Sequence, residues 1–223
     1  MSLQTIQRGI DEGLVLHVPF TEGSGTTVYD RSPSDAEIIF SAGAAAPSWS
    51  TLTGMPVVVI ADEESLQLTD ITKAVLTTEC TISCWVYPTT IDHSHRIADK
   101  LIFGAKTGYQ LGFNSSGNVV FTLGDGITNY NLTADIDLVV DTLYLISATW
   151  DGAIMKAYVN GIQDPTTLAF VNTISDPATE LIIGSEGVGG NESLNGSMYG
   201  LRIYDRAISP QEIRYLSSMR RRL

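Results

Sequence analysis

The chain has 223 residues, 43% of them hydrophobic, so one sizeable core can be buried, and its 20 glycines suit a protein rich in turns. The net charge of −12 excludes a nucleic-acid partner, because phosphate contacts need a basic footprint and the field here has the opposite sign. No stretch of about 18 apolar residues exists, which excludes insertion of a helix into a membrane, and residues 1–13 lack the apolar core of a signal peptide.

Residues 1–12 read as an N-terminal arm, and 14–20 as the first strand, with His17 packed or hydrogen-bonded within it. The Gly-, Ser- and Asp-rich segment that follows reads as a long ordered loop. Residues 38–53 read as a short strand plus irregular chain, 57–60 as a buried strand and 65–68 as a further short one. At 78–88 the pattern alternates: Cys80, Ile82, Cys84 and Val86 face one way, and Thr81, Ser83, Trp85 and Tyr87 the other. Two cysteines four residues apart on one strand stand roughly 13 Å apart at about 3.3 Å per residue, beyond the ~7 Å a disulfide spans. The polar run 89–100 reads as a loop holding His93 and His95. Short strands are expected at 101–105, 109–114, 119–123 and 129–132.

The best-specified element is 143–161. Residues 143–150 and 154–159 alternate with period two, and Asp151-Gly152 and Asn160-Gly161 are dipeptides that tolerate φ > 0. A β-hairpin with a type I′ turn at 151–152 is expected. Strands at 168–171 and 181–183 precede a Gly-rich loop at 184–196, and 198–205 is the last strand. Ser209, Pro210 and Glu212 then form a capping box that opens a helix with the apolar stripe Ile213, Leu216 and Met219. Residues 217–223 form a basic tail, with Arg220, Arg221 and Arg222 placed to meet the negative end of the helix dipole. Many short strands with one terminal helix make an all-β sandwich.

Five motifs recur in a fixed order: LVLHVPFTEGSGTTVYDRS at 14–32, TISCWVYP at 81–88, ATWDG at 148–152, YVNG at 158–161 and LNGSMYGLRIYDRAISPQEI at 194–213. Over residues 13–216 the chain resembles the laminin-G-like domains of the concanavalin A-like lectin/glucanase superfamily. The resemblance implies a jelly-roll of two antiparallel sheets with a short C-terminal helix, one sheet concave. It implies secretion, surface exposure or association with a virion. The same fold hosts lectins, adhesion modules and glycosidases.

Glycosidases of the superfamily resemble one another in paired glutamates around an aspartate. The nearest match is Asp135, Asp137 and Asp141 in DIDLVVD, which lacks glutamates and reads as a loop of solvated aspartates. His93 and His95 form an H-x-H pair beside Asp92 and Asp99, but no third ligand has a fixed spacing, so they read as exposed loop residues. No nucleophile elbow, phosphate loop or zinc-finger spacing is present. Many relatives bind calcium at the sandwich rim. Asp30 occupies the position of their loop aspartate, with Glu22 in the same loop, while Tyr199 stands where an aspartate often follows the final-strand glycine, here Gly196. For sugar stacking, Trp49, Tyr87, Tyr109, Tyr130 and Tyr158 are available. The loop 185–195, with Glu186, Asn191 and Glu192, is long enough to shape a rim. Asn114, Asn131, Asn191 and Asn195 begin N-x-S/T sequons. The expectation is a non-catalytic binding module for a glycan; for Glu22 and Asp30 two readings stand, Ca²⁺ ligation that assists binding or the capping of turns. The alternatives are a structural or adhesion protein that makes protein contacts, with homo-oligomers included, and, more remotely, a glycoside hydrolase.

Overall fold

A computed structural model describes residues 9–41, 46–188 and 190–219. One antiparallel sheet runs in the order β14 (Ile162–Ala169), β13 (Ile154–Val159), β12 (Tyr144–Trp150), β7 (Cys80–Pro88), β16 (Gly196–Tyr204), β5 (Met55–Ile60) and β4 (Ser48–Leu52), with β1 (Leu14–Val18) also paired to β16. The other runs β11 (Asn129–Thr133), β10 (Val119–Asp125), β9 (Thr107–Phe113), β8 (His95–Asp99), β15 (Leu181–Ile183), β6 (Leu66–Leu68), β3 (Glu37–Phe40) and β2 (Thr27–Tyr29). The two sheets enclose one core, giving the jelly-roll sandwich that the motifs imply.

Alternation decides which side chains enter that core. Cys80, Ile82, Cys84 and Val86 of β7 are fully buried, and they pair across the strand with Trp150, Ala148, Ile146 and Tyr144 of β12. Ile38, Leu66, Leu68, Leu111, Phe113, Phe121 and Ile183 supply the facing layer. Each buried aliphatic or aromatic side chain of this kind contributes roughly 1.5–3 kcal/mol. Trp150 adds a hydrogen bond, its Nε1 donating to the Phe170 carbonyl at 2.7 Å. Both cysteines are free and buried, and burial pushes their thiols far above the ordinary range, so neither serves as a nucleophile.

The hairpin forms with one change. Trp150 pairs with Met155, leaving a four-residue connection in which only Gly152 has positive φ (80°). The Asp151 carboxylate accepts from the N–H groups of Ala153 (3.2 Å) and Ile154 (2.8 Å), so a side-chain cap replaces the expected type I′ turn. The second turn does have the I′ geometry, with Asn160 at φ 52° and Gly161 at φ 82° between the paired residues Val159 and Ile162.

Helix α1 (Pro210–Ser218) carries the expected capping box. Ser209 Oγ accepts from Glu212 N at 3.3 Å, and Glu212 Oε2 accepts from Ser209 N at 2.7 Å. Arg206 clamps Glu212 and also donates to the carbonyls of Gly9 (2.8 Å) and Glu12 (2.7 Å). The described end of the N-terminal arm is thereby tied to the helix start. Ile213 and Leu216 are buried, but Met219 is the C-cap and 43% exposed, so the stripe ends one turn early. Residues 1–8 of the arm and Arg220, Arg221 and Arg222 of the tail lie outside the described residues.

Three further expectations are corrected. The segment after β1 is not all loop, because β2 pairs there with β3. Residues 101–105 form turns with a single bridge between Ile102 and Thr107 rather than a strand. The run 89–100 is not all loop, because β8 occupies its second half in the middle of the second sheet.

Candidate functional site

Tyr109 and Leu111 of β9 point into the core, so Gln110 between them points to the outer face of the second sheet. Residues directly paired across strands share a face. The register pairs Gln110 with Asp99 of β8 and with Thr122 of β10, and Thr122 with Asn131 of β11. These four polar residues therefore form a row across four strands, roughly 14 Å long at about 4.8 Å per strand. Ile182 of β15 and Gln67 of β6 extend it past Asp99. Asp99, Gln110 and Thr122 are buried, although they lie on an outer face.

A groove of about 340 Å³ covers part of this row, lined by Arg96, Asp99, Leu101, Phe103, Gln110, Glu186 and Glu192. A second hollow of about 240 Å³ shares Asp99, Leu101 and Glu186 and continues over Ile182. Glu186 and Glu192 come from the connection between β15 and β16, described at 184–188 and 190–195, and line one side of the groove. Phe103 stands at the groove with 67% of its surface exposed, a large apolar side chain left in water.

The polar groups of the groove are held in place. Asp99 accepts from Leu101 N and from Gln110 Nε2, both at 2.7 Å, and Arg96 Nε lies 3.6 Å from its carboxylate. Arg96 also pairs with Glu192. Burial pushes the Asp99 carboxyl up to about 6, outweighing these hydrogen bonds and the Arg96 charge. Three carboxylates thus face one guanidinium. Beneath it, the buried Lys100 ammonium pairs with Asp176 at 2.8 Å.

The aromatic residues available for sugar stacking do not line this groove. Tyr109 is buried with its hydroxyl donating to the Ala74 carbonyl at 2.7 Å, and Tyr158 is also buried. Trp49 packs on Phe40 at 5.8 Å, and Tyr130 on Phe170 at 4.7 Å. Tyr87 lines a separate hollow with Asp141, where Asp141 has φ 57° and donates its N–H to the Pro88 carbonyl at 2.9 Å. Asp135, Asp137 and Asp141 are exposed loop residues, and none of them lines the groove. The rim loop with Glu186 and Glu192 does reach the face. Sequence reading missed Phe103, Arg96 and Gln110. The usable signal was Gln110, a polar residue at an outward position in the otherwise apolar strand TGYQLGF.

The residues implied for calcium do not fit an ion. The Asp30 carboxylate is 2% exposed and accepts from His17 N, Ser32 N, Ser32 Oγ, Ser34 Oγ and Ala36 N. Five donors occupy the lone pairs that coordination would need. Burial raises the Asp30 carboxyl, but these hydrogen bonds outweigh it and hold the group below the ordinary carboxylate range. Glu22 Oε1 accepts from Tyr29 N at 3.3 Å, leaving only Oε2 without a partner.

His95 departs furthest from expectation. It is fully buried, its ring stacked on Phe113 at 4.7 Å and its Nδ1 hydrogen-bonded to the Ser193 carbonyl at 2.8 Å. His93 is beside it, with ring centroids 4.1 Å apart, and Asp92 faces both.

The fold defines the class: a lectin-like jelly-roll sandwich of two antiparallel sheets. The family model described as the concanavalin A-like lectin/glucanases superfamily, of laminin-G type, matches residues 61–214, and the chain belongs to that family. No curated protein matches the sequence. Among solved structures, the chain is similar to the binding domain of Paraclostridial Mosquitocidal Protein 1 (TM-score 0.73, 15% identity, 93% of this chain and 52% of that one). It is similar to domain 4 of AbnA, an extracellular GH43 arabinanase from Geobacillus stearothermophilus in complex with arabinotriose (TM-score 0.71, 16% identity, 92% and 98%). It is also similar to the binding domain of botulinum neurotoxin DC in complex with rat synaptotagmin II (TM-score 0.67, 13% identity, 94% and 52%). The chain thus spans about half the length of the two toxin binding domains. At these identities the likeness shows the fold.

Proposed function

We propose that the chain is a non-catalytic carbohydrate-binding module that takes a neutral oligosaccharide in the groove over the second sheet. The observation that carries this is the pairing of a fixed polar row with one exposed aromatic. Gln110 and Asp99 are immobilised by each other and by the backbone, so little entropy is lost when they meet sugar hydroxyls. Phe103 offers a flat apolar surface to a sugar face. The arabinotriose complex of the arabinanase domain, similar over nearly its whole length, supports a sugar as the ligand class. Asp99 and Glu192 are engaged by donors, which suits binding rather than attack on a glycosidic bond.

A glycan array tests the reading. Signal on neutral oligosaccharides, plant arabinans included, is expected to exceed signal on sialylated ones, because the groove carries excess negative charge. Binding to no sugar would sink the proposal. A second reading, protein contact, has one observation in its favour: Ile102, Phe103, Ile127 and Val171 are all exposed. Hydrogen bonds from Asn129 to the Phe103 carbonyl (3.0 Å) and from Asn172 to Asp125 (2.6 Å) gather their segments at one rim.

A further inference from the structure

The connection from β7 to β8 brings Asp92, His93 and His95 together, the one group of its kind among the described residues, with one ligand atom from each within 4.8 Å of the others. His93 Nδ1 lies 2.7 Å and His95 Nε2 3.6 Å from the same Asp92 oxygen, Oδ1. Donor atoms about 2.0–2.1 Å from a tetrahedral zinc stand roughly 3.4 Å apart. The spacing thus needs only small adjustments.

A separate observation points to a ligand. The Ser193 carbonyl accepts a hydrogen bond from His95 Nδ1, which fixes the tautomer and leaves a lone pair on Nε2. That nitrogen is buried, faces Asp92, and has no hydrogen-bond partner. Leaving a buried acceptor without a partner is destabilising, and a cation shared with Asp92 would satisfy it. The backbone-oriented imidazole is the usual arrangement behind a zinc-ligating histidine.

We propose that Asp92, His93 and His95 form a transition-metal site, with Zn²⁺ the best match for two imidazoles and one carboxylate, and a fourth position left open to water. Its place gives it a structural role. The same loop that binds His95 through Ser193 supplies Glu192 to Arg96 in the groove, so the metal would brace the strand and one side of the groove from behind. The proposal does not depend on the nature of the ligand in the groove.

Isothermal titration of the tag-free full chain with ZnCl₂ tests it. One ion per chain is expected, with a rise in Tm on addition of zinc. Because His95 is part of the core and its variants risk misfolding, His93→Ala and Asp92→Asn carry the test. Each should weaken zinc binding at least tenfold while leaving the metal-free Tm near that of the parent. His17→Gln, the remaining histidine, should bind zinc as the parent does. Co²⁺ should give the visible absorption of a low-coordinate site, lost in His93→Ala. Absence of stoichiometric zinc binding, or unchanged affinity in both variants, would overturn the assignment.

Discussion

Two buried aspartates of this molecule respond to pH in opposite directions. Asp30, held below the ordinary range by its five donors, has a carboxylate favoured by folding. Its contribution is present above the unfolded-state value near 4 and is lost as pH falls through the lower folded value. Asp30→Asn is expected to lower stability at pH 7 by about 1–3 kcal/mol. Chemical denaturation would show this, and the parent's Tm should be unchanged by calcium. Asp99 runs the other way. Its carboxyl is raised to about 6, so its contribution is greatest below about pH 4 and declines as pH rises through 6. Asp99→Asn should therefore lose stability relative to the parent at pH 4 and recover as pH rises to 7, a swing of at most roughly 3 kcal/mol. A flat difference across that range would contradict the buried placement of Asp99.

At the level of elements, the hairpin and its turns are the most specific feature. Gly161 has φ 82°, and a Cβ there would stand 3.1 Å from Arg214 Cα and 3.2 Å from Ser217 Cβ in α1. Gly161→Ala should cost about 1–3 kcal/mol through strain and displacement of the helix, read as a lower midpoint in urea. Strands that bury one face completely, such as β7 and β12, were legible because alternation and burial agree. β14 was read only near its C-terminal end, because it is an edge strand with Pro165 and mostly exposed side chains, where nothing forces apolar residues. β8 read as loop because HRIAD mixes polar and apolar residues without a clean period, owing to a bulge between Arg96 and Ala98. Its Asp99 is buried on the groove face and its His95 on the core side against Phe113, so its polar residues follow tertiary placement rather than a local period. The H-x-H pair was visible, but its third ligand was hidden in plain order at Asp92, since only the turn into β8 makes the three converge.

For the molecule as a whole, the family and sandwich follow from motif order, whereas the groove depends on elements distant in sequence. β8, β9 and the loop 184–196 meet only once the second sheet has formed. The groove shares the sign of the whole chain: three carboxylates line it in a protein of net charge −12. The most direct test is isothermal titration of a neutral oligosaccharide, identified on the array, into the parent chain and into Phe103→Ala and Gln110→Ala. The account predicts one site per chain, an affinity at least tenfold weaker in each variant, a Tm preserved in Phe103→Ala and lowered in Gln110→Ala by loss of its hydrogen bond to buried Asp99, and no release of reducing sugar. Equal affinity in both variants and the parent would contradict it, because the ligand would then sit somewhere other than the groove.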